Sequence, residues 1–163
     1  ADDARELFQI VGAIEGLGAR AAARLVARKR ARLAAELRGF DQALLGAAQD
    51  PPDSEEIFDI FTRFHLRYIE TAAGPRLRAL HDSIKPQAER YRRLYSTAPE
   101  GRIAASVAEH ERIIVAIEKG DVEGARVAVE SNWQNAAERL AAVIEKTGGT
   151  PVAIAAGADP RGG

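Results

Sequence analysis

The sequence predicts an all-α fold, a single-domain bundle of about six helices. Apolar residues recur at intervals of three and four positions along most of the 163-residue chain, the spacing of helices with one buried face. Alanine, leucine, arginine and glutamate, all strong helix formers, dominate the segments between the prolines. No segment shows the alternating apolar and polar pattern of a half-buried strand.

The first block of helical pattern runs from about Ala4 to Gln49. Leu7, Val11 and Ile14 follow one another at helical spacing near its start, and leucines continue the pattern towards its end. We expect two helices in this block, with the break between Gly18 and Arg28.

Proline and capping residues set the limits of the next two helices. The segment from Asp50 to Glu55 combines a helix stop with a capped start. The third helix should run from there to about Ala73, before a Gly-Pro pair. The fourth should run from Pro75 to about Tyr95, with a kink at Pro86.

Two further helices complete the predicted bundle. Pro99 suits the first turn of a fifth helix, which should end at Gly120. Asp121 then caps a sixth helix that ends near Lys146. Glycine, alanine and proline dominate 150–163, which predicts a disordered tail.

Composition excludes several classes of function. With no cysteine, the chain has no disulfide, thiolate metal site or cysteine nucleophile. A net charge of −1 argues against nucleic-acid binding by this chain itself. No apolar run approaches the roughly 20 residues of a membrane span, and the start of the chain lacks the features of a signal peptide. A cytoplasmic location is therefore expected.

Three polar residues interrupt the apolar stripes of three different helices. His65 lies on the stripe of the third helix, His110 on that of the fifth and Asn132 on that of the sixth. A single buried polar residue is usually a satisfied core group, but three in one small bundle predict a shared polar pocket. Thr62 and Ser106, one turn before the histidines, add hydroxyls to the same space.

Two more residues complete the candidate ligand-binding set. Tyr68 shares the stripe of the third helix, and Arg90 belongs to an arginine cluster at 90–93 that could pair with a ligand carboxylate. The alternative for each arginine is a solvent-facing position.

His81 is expected to be an ordinary, partly buried histidine. Nearly all carboxylates should lie on outer faces, and no catalytic constellation is evident, so the chain is not expected to be an enzyme.

A series of short motifs runs through the third, fifth and sixth predicted helices: Phe64-His65, Ala72-Ala73-Gly74, Ser106-Val107-Ala108-Glu109-His110, Ala116-Ile117, Gly120-Asp121, Ala125 and Asn132. Together they resemble the FCD effector domain, the C-terminal half of FadR-type regulators in the GntR family. The resemblance covers about Glu6 to Ile144 and implies an antiparallel bundle that binds a small organic acid and forms a homodimer. It also implies an N-terminal winged helix, normally preceding Ala1, that binds operator DNA and is not part of this chain.

The same resemblance implies a metal site in many family members, made by one aspartate and three histidines. His65 and His110 match two of these ligands, whereas Phe61 stands at the aspartate position and Asn132 at that of the last histidine. Two imidazoles and one amide are a poor set for zinc. Two interpretations stay open. In the favoured interpretation, the histidines bind the effector directly and no metal is present. In the other, zinc or nickel binds weakly at His65, His110 and Asn132, and the effector supplies the remaining metal ligands.

The leading hypothesis for 1–149 is therefore a ligand-binding and dimerisation domain for a small carboxylate metabolite. Two alternatives come from other classes of protein. One is a metal-dependent enzyme built on a helical bundle. The other is a structural interaction module whose polar cluster is satisfied internally.

Overall fold

The computed structural model of this protein describes residues 1–49, 52–95 and 100–149, and the six elements in those ranges are all α-helices. The predicted all-α bundle of about six helices is confirmed. None of the described helices combines the length and apolar character needed to cross a membrane. In chain order they are α1 (Asp2–Ala23), α2 (Ala27–Ala47), α3 (Ser54–Ala72), α4 (Pro75–Tyr95), α5 (Glu100–Lys119) and α6 (Val122–Lys146).

Capping residues fix several helix boundaries. At the start of α3 the carboxylate of Asp53 accepts a hydrogen bond of 2.9 Å from the backbone N–H of Glu56. At the start of α6 the carboxylate of Asp121 accepts one of 2.9 Å from Gly124. Gly120 has a φ of +76°, a left-handed conformation that costs glycine little, and α5 ends directly before it.

The remaining boundaries agree with the sequence pattern. The first block divides between Ala23 and Ala27, inside the predicted break. α4 continues through Pro86 as one helix. Pro99 and the predicted tail at 150–163 lie outside the described residues.

The first helix occupies the centre of the bundle. α1 packs against α3, α4, α5 and, most extensively, α6, while α2 packs against α3 and α5. Each large apolar side chain that is fully buried contributes roughly 1.5–3 kcal/mol. The largest of them are Phe8, Leu33, Leu37, Leu44, Phe64, Ile69, Ile113, Ile114 and Ile117. Because α1 is surrounded, a polar residue on its inner faces has to find partners within the protein.

Two glycines allow α1 to approach α6 closely. A Cβ added at Gly12 would lie 2.9 Å from Cβ of Trp133, and one added at Gly16 would lie 3.2 Å from Cγ of Arg126. The glycines are four residues apart and so lie on one face of α1. This close approach holds Trp133 against the centre of the bundle.

We expect Gly12→Val to lower the free energy of unfolding by about 1–3 kcal/mol, because the added atoms overpack the contact with Trp133. Gly39 provides the matched control, since it is exposed in the middle of α2 and an added Cβ would meet nothing within 4 Å. Gly39→Ala should raise stability by about 0.5–1 kcal/mol. Urea unfolding of both variants checks this pair, and equal effects would contradict the proposed packing role of Gly12.

Candidate functional site

A cavity of about 170 Å³ lies between α1, α3, α4, α5 and α6. Much of its wall is aromatic or aliphatic, and the polar groups in it include imidazoles, guanidiniums and an amide. Concave, largely apolar sites with a few polar groups are typical of small-molecule binding. The apolar lining residues are Phe8, Ile57, Phe58, Phe61, Ile103, Trp133, Ala136 and Leu140, and the polar ones are Ser54, Glu55, His65, Arg92, Arg93, Ser106, His110, Asn132 and Arg139.

The cavity brings together four of the seven candidate ligand-binding residues. His65, Ser106, His110 and Asn132 all line it and are all buried. The rings of His65 and His110 have centroids 5.4 Å apart. The three polar residues that interrupt the apolar stripes of three helices, His65, His110 and Asn132, therefore line one cavity.

The other three candidates lie outside the cavity lining. Tyr68 is buried and donates its hydroxyl to Glu15, and Thr62 has a buried hydroxyl with no hydrogen-bond partner among the described residues. Arg90 is exposed. Arg92, two residues later and about 200° further round the helix, lines the cavity in its place.

The carboxylate of Glu15 lies at the centre of the bundle and is fully buried. Five side-chain donors from α3, α4 and α6 converge on its two oxygens, so that one residue of α1 is tied to three other helices. We call Glu15 and these donors the Glu15 cluster. The donors are Lys85 Nζ at 2.5 Å, Trp133 Nε1 at 2.7 Å, His65 Nδ1 and Tyr68 OH at 2.8 Å, and His81 Nε2 at 3.1 Å.

The environment of Glu15 keeps its carboxylate ionised. Burial alone would raise its pKa, but the charge of Lys85 and the hydrogen bonds from His65 and His81 hold the pKa well below its ordinary value. Burial raises the pKa of Tyr68 well above its ordinary value, with Glu15 acting in the same direction, so that hydroxyl remains a donor. The Glu15 cluster is therefore built around an ion pair between Glu15 and Lys85.

His65 joins the Glu15 cluster to the cavity. Burial lowers the pKa of His65 to about 3, and the neighbouring Glu15 carboxylate only partly opposes that effect. The ring is neutral at pH 7. Because a carboxylate only accepts hydrogen bonds, the proton of the neutral ring lies on Nδ1, towards Glu15.

His110 has a second carboxylate partner and one nitrogen without a partner. Its Nδ1 lies 2.6 Å from Oδ1 of Asp41, and its ring stacks on Phe64 with centroids 3.8 Å apart. Nε2 is buried and has no hydrogen-bond partner among the described residues. Because His110 lines the cavity, a polar ligand group that reached Nε2 would be stabilised there.

Arg92 belongs to the arginine cluster at 90–93 considered from the sequence, although Arg90 was the member selected there. The guanidinium of Arg92 lies over the ring of Phe61, 4.8 Å from the centroid, and 5.6 Å from that of Phe58. Burial lowers its pKa to about 10, so it remains charged at pH 7. Arg93 and Arg139 also line the cavity.

Glu15 and Asp41, which organise the site, are two buried exceptions to the expectation that nearly all carboxylates lie on outer faces. Glu15 follows Val11 by four residues, and Asp41 follows Leu37 by four, so both continue apolar stripes. Their spacing was a usable signal, identical to the one that identified the histidines. His81, expected to be partly buried, is 2% exposed and belongs to the Glu15 cluster.

The residues present do not fit the metal site that the family resemblance implies. Phe61 offers no donor atom, and Asn132, whose amide nitrogen donates to Glu109 at 2.8 Å, offers a metal only a neutral carbonyl oxygen. His65 and His110 use Nδ1 for carboxylates, which leaves one nitrogen on each ring for a metal. In the described ranges, no group of three or more His, Cys, Asp or Glu side chains is placed to hold a metal ion. A tetrahedral zinc site needs a fuller set of donors.

Comparison with known proteins supports the resemblance. Residues 6–135, well over half of the chain, match the family model of the FCD domain. No curated protein matches the chain. The match extends from the first turns of α1 into α6 and so includes every helix that borders the cavity. The chain belongs to the FCD domain family, the effector domains of GntR-family transcription regulators.

Proposed function

We propose that this chain senses a small organic acid in the cavity, as the effector domain of a FadR-type regulator. The observation that carries the proposal is the cavity lined by His110, whose buried Nε2 has no hydrogen-bond partner among the described residues. Leaving such an atom unsatisfied costs about 1–3 kcal/mol, which a ligand can recover. Three guanidiniums in the same wall favour an anionic ligand.

We propose that the Glu15 cluster transmits the binding event. His65 and Trp133 line the cavity and also donate hydrogen bonds to Glu15, so a ligand that moves either side chain acts on contacts between four helices. A shift in helix placement would then reach attached winged-helix domains through a homodimer and change their binding to operator DNA.

The face formed by α1 and α4, two helices that pack together, is our candidate for the dimer interface. It exposes three large apolar side chains, those of Ile10, Leu17 and Leu80.

A thermal-shift screen of the chain against small carboxylic acids tests this function. Each acid is measured with zinc, with nickel and with EDTA. We expect at least one acid to raise the melting temperature by several degrees, to the same extent in EDTA, because the ligand binds only the folded state. A shift that requires metal would contradict the metal-free site. No shift with any acid would contradict the sensor and favour a structural module.

A further inference from the structure

The three cavity guanidiniums differ in how their charges are compensated. Arg93 pairs with Glu55 at 2.6 Å, and Arg139 pairs with Glu109 through contacts of 2.8 and 3.1 Å. Arg92 makes no hydrogen bond or ion pair with any described residue and contacts the two phenyl rings instead. Glu15 and Glu89 act on the Arg92 charge from a distance, but no carboxylate of the described residues pairs with it directly.

Phe61 has a specific role in placing that charge. It occupies the position where the family resemblance implies a metal-binding aspartate, and its ring lies beneath the guanidinium of Arg92. An aromatic face attracts a cation, and a planar guanidinium stacks on it well. Phe61 therefore takes the place of a metal ligand and, at the same time, holds the guanidinium of Arg92 in the cavity.

The apolar part of the wall limits the chemical character of the ligand body. Phe8, Ile57, Ile103 and Leu140 offer no hydrogen-bonding side chain, so a second charged group placed against them would be desolvated without a partner. A cavity of about 150 Å³ is known to hold benzene, and this one measures about 170 Å³. The space therefore suits one aromatic ring or a chain of roughly six carbons.

We propose that the cavity binds a small monocarboxylate with an apolar body, its carboxylate paired with the guanidinium of Arg92 and no metal ion involved. This inference rests on the proposed function and narrows it to one ligand class. Arg92 supplies the positive charge, whereas Arg93 and Arg139 are already paired with Glu55 and Glu109, which disfavours a second carboxylate on the ligand. The planar guanidinium can donate two parallel hydrogen bonds to one carboxylate.

Fluorescence of Trp133, the single tryptophan of the chain and a cavity residue, provides the test. Phenylacetate and hexanoate are titrated in EDTA, beside phenylacetamide, hexanamide and succinate. We expect saturable binding of at least one monocarboxylate. Its amide, which has the same shape without the charge, should bind at least about tenfold more weakly, and so should succinate. This comparison needs no variant.

Two arginine variants test whether Arg92 supplies the charge that binds the ligand carboxylate. Arg92→Met keeps an unbranched side chain over the phenyl rings and should weaken binding of the acid at least about tenfold. Arg90→Met removes an exposed arginine from the same helix and should leave the affinity within about twofold, since it contacts no part of the cavity. Equal affinity of the acid for the Arg92→Met variant and the parent protein would overturn the proposal.

The outcomes separate this inference from the proposed function. If other acids stabilise the chain while phenylacetate and hexanoate do not bind, the sensor stands and the ligand class is wrong. If binding of the monocarboxylates requires zinc or nickel, or if acid and amide bind equally, the pairing with Arg92 is wrong. If no acid of the wider screen binds under any condition, the sensor itself falls.

Discussion

Replacing Glu15 with alanine is expected to lower the free energy of unfolding by about 3–5 kcal/mol, the usual cost of removing one partner from a buried ion pair. Lys85, at 5% exposure, would lose the carboxylate that opposes the lowering of its pKa by burial, and four more donors would lose their acceptor. Typical domains have a total stability of only about 5–15 kcal/mol. Urea unfolding followed by far-ultraviolet circular dichroism measures the loss.

Asp59 provides the control for this experiment. Its side chain is 64% exposed on α3 and pairs with Arg63 at 3.6 Å, so Asp59→Ala should cost less than about 1 kcal/mol. Glu15→Gln keeps the shape and one carbonyl acceptor, and its effect should fall between the two. A Glu15→Ala variant no less stable than Asp59→Ala would show that the Glu15 cluster does not hold the bundle together.

Mild acid is expected to destabilise the domain before most carboxylates protonate. Burial lowers the pKa of His65 from its ordinary 6.5 to about 3. As the pH falls below 6.5, the unfolded chain therefore binds a proton at His65 that the folded chain refuses. A difference of one proton changes stability by about 1.4 kcal/mol per pH unit. Below the ordinary pKa of Glu15, 4.5, the lowered pKa of that carboxyl adds a loss of the same sign.

Urea unfolding at pH 7, 6, 5 and 4 measures this dependence. His65→Asn is the informative variant, because its amide nitrogen can donate to Glu15 from nearly the same place as Nδ1 but does not titrate. Stability of the variant should fall less steeply than that of the parent between pH 6.5 and 5. Parallel curves for the two proteins would contradict the assignment to His65.

The fold could be predicted from sequence because its boundaries are chemically distinct. Asp53 and Asp121 cap helices through local hydrogen bonds, and Gly120 supplies a conformation that other residues rarely adopt. None of these capping effects depends on the tertiary structure, so each helix boundary could be recognised from the local sequence. Helical periodicity also identified His65 and His110 as inward-facing, and the structure places both in one cavity.

The site was less predictable because it depends on helix rotation. Arg90 and Arg92 differ by about 200° around α4, and an arginine-rich segment containing Pro86 gives little indication of which face is buried. Glu15 was missed for a different reason. A lone carboxylate on an apolar stripe is understandable only once its five donors are known, and all five lie at least 50 residues away.

The convergence of five donors on Glu15 also has an evolutionary consequence. A lineage that lost this carboxylate alone would leave the buried amine of Lys85 without its partner, whereas one that replaced both with apolar residues could retain its stability. The two positions should therefore change together, and each should constrain the substitutions that the other accepts. His65, which bonds to Glu15 and also lines the cavity, would extend that coupling to ligand preference, so drift in the core could alter which metabolite the domain recognises.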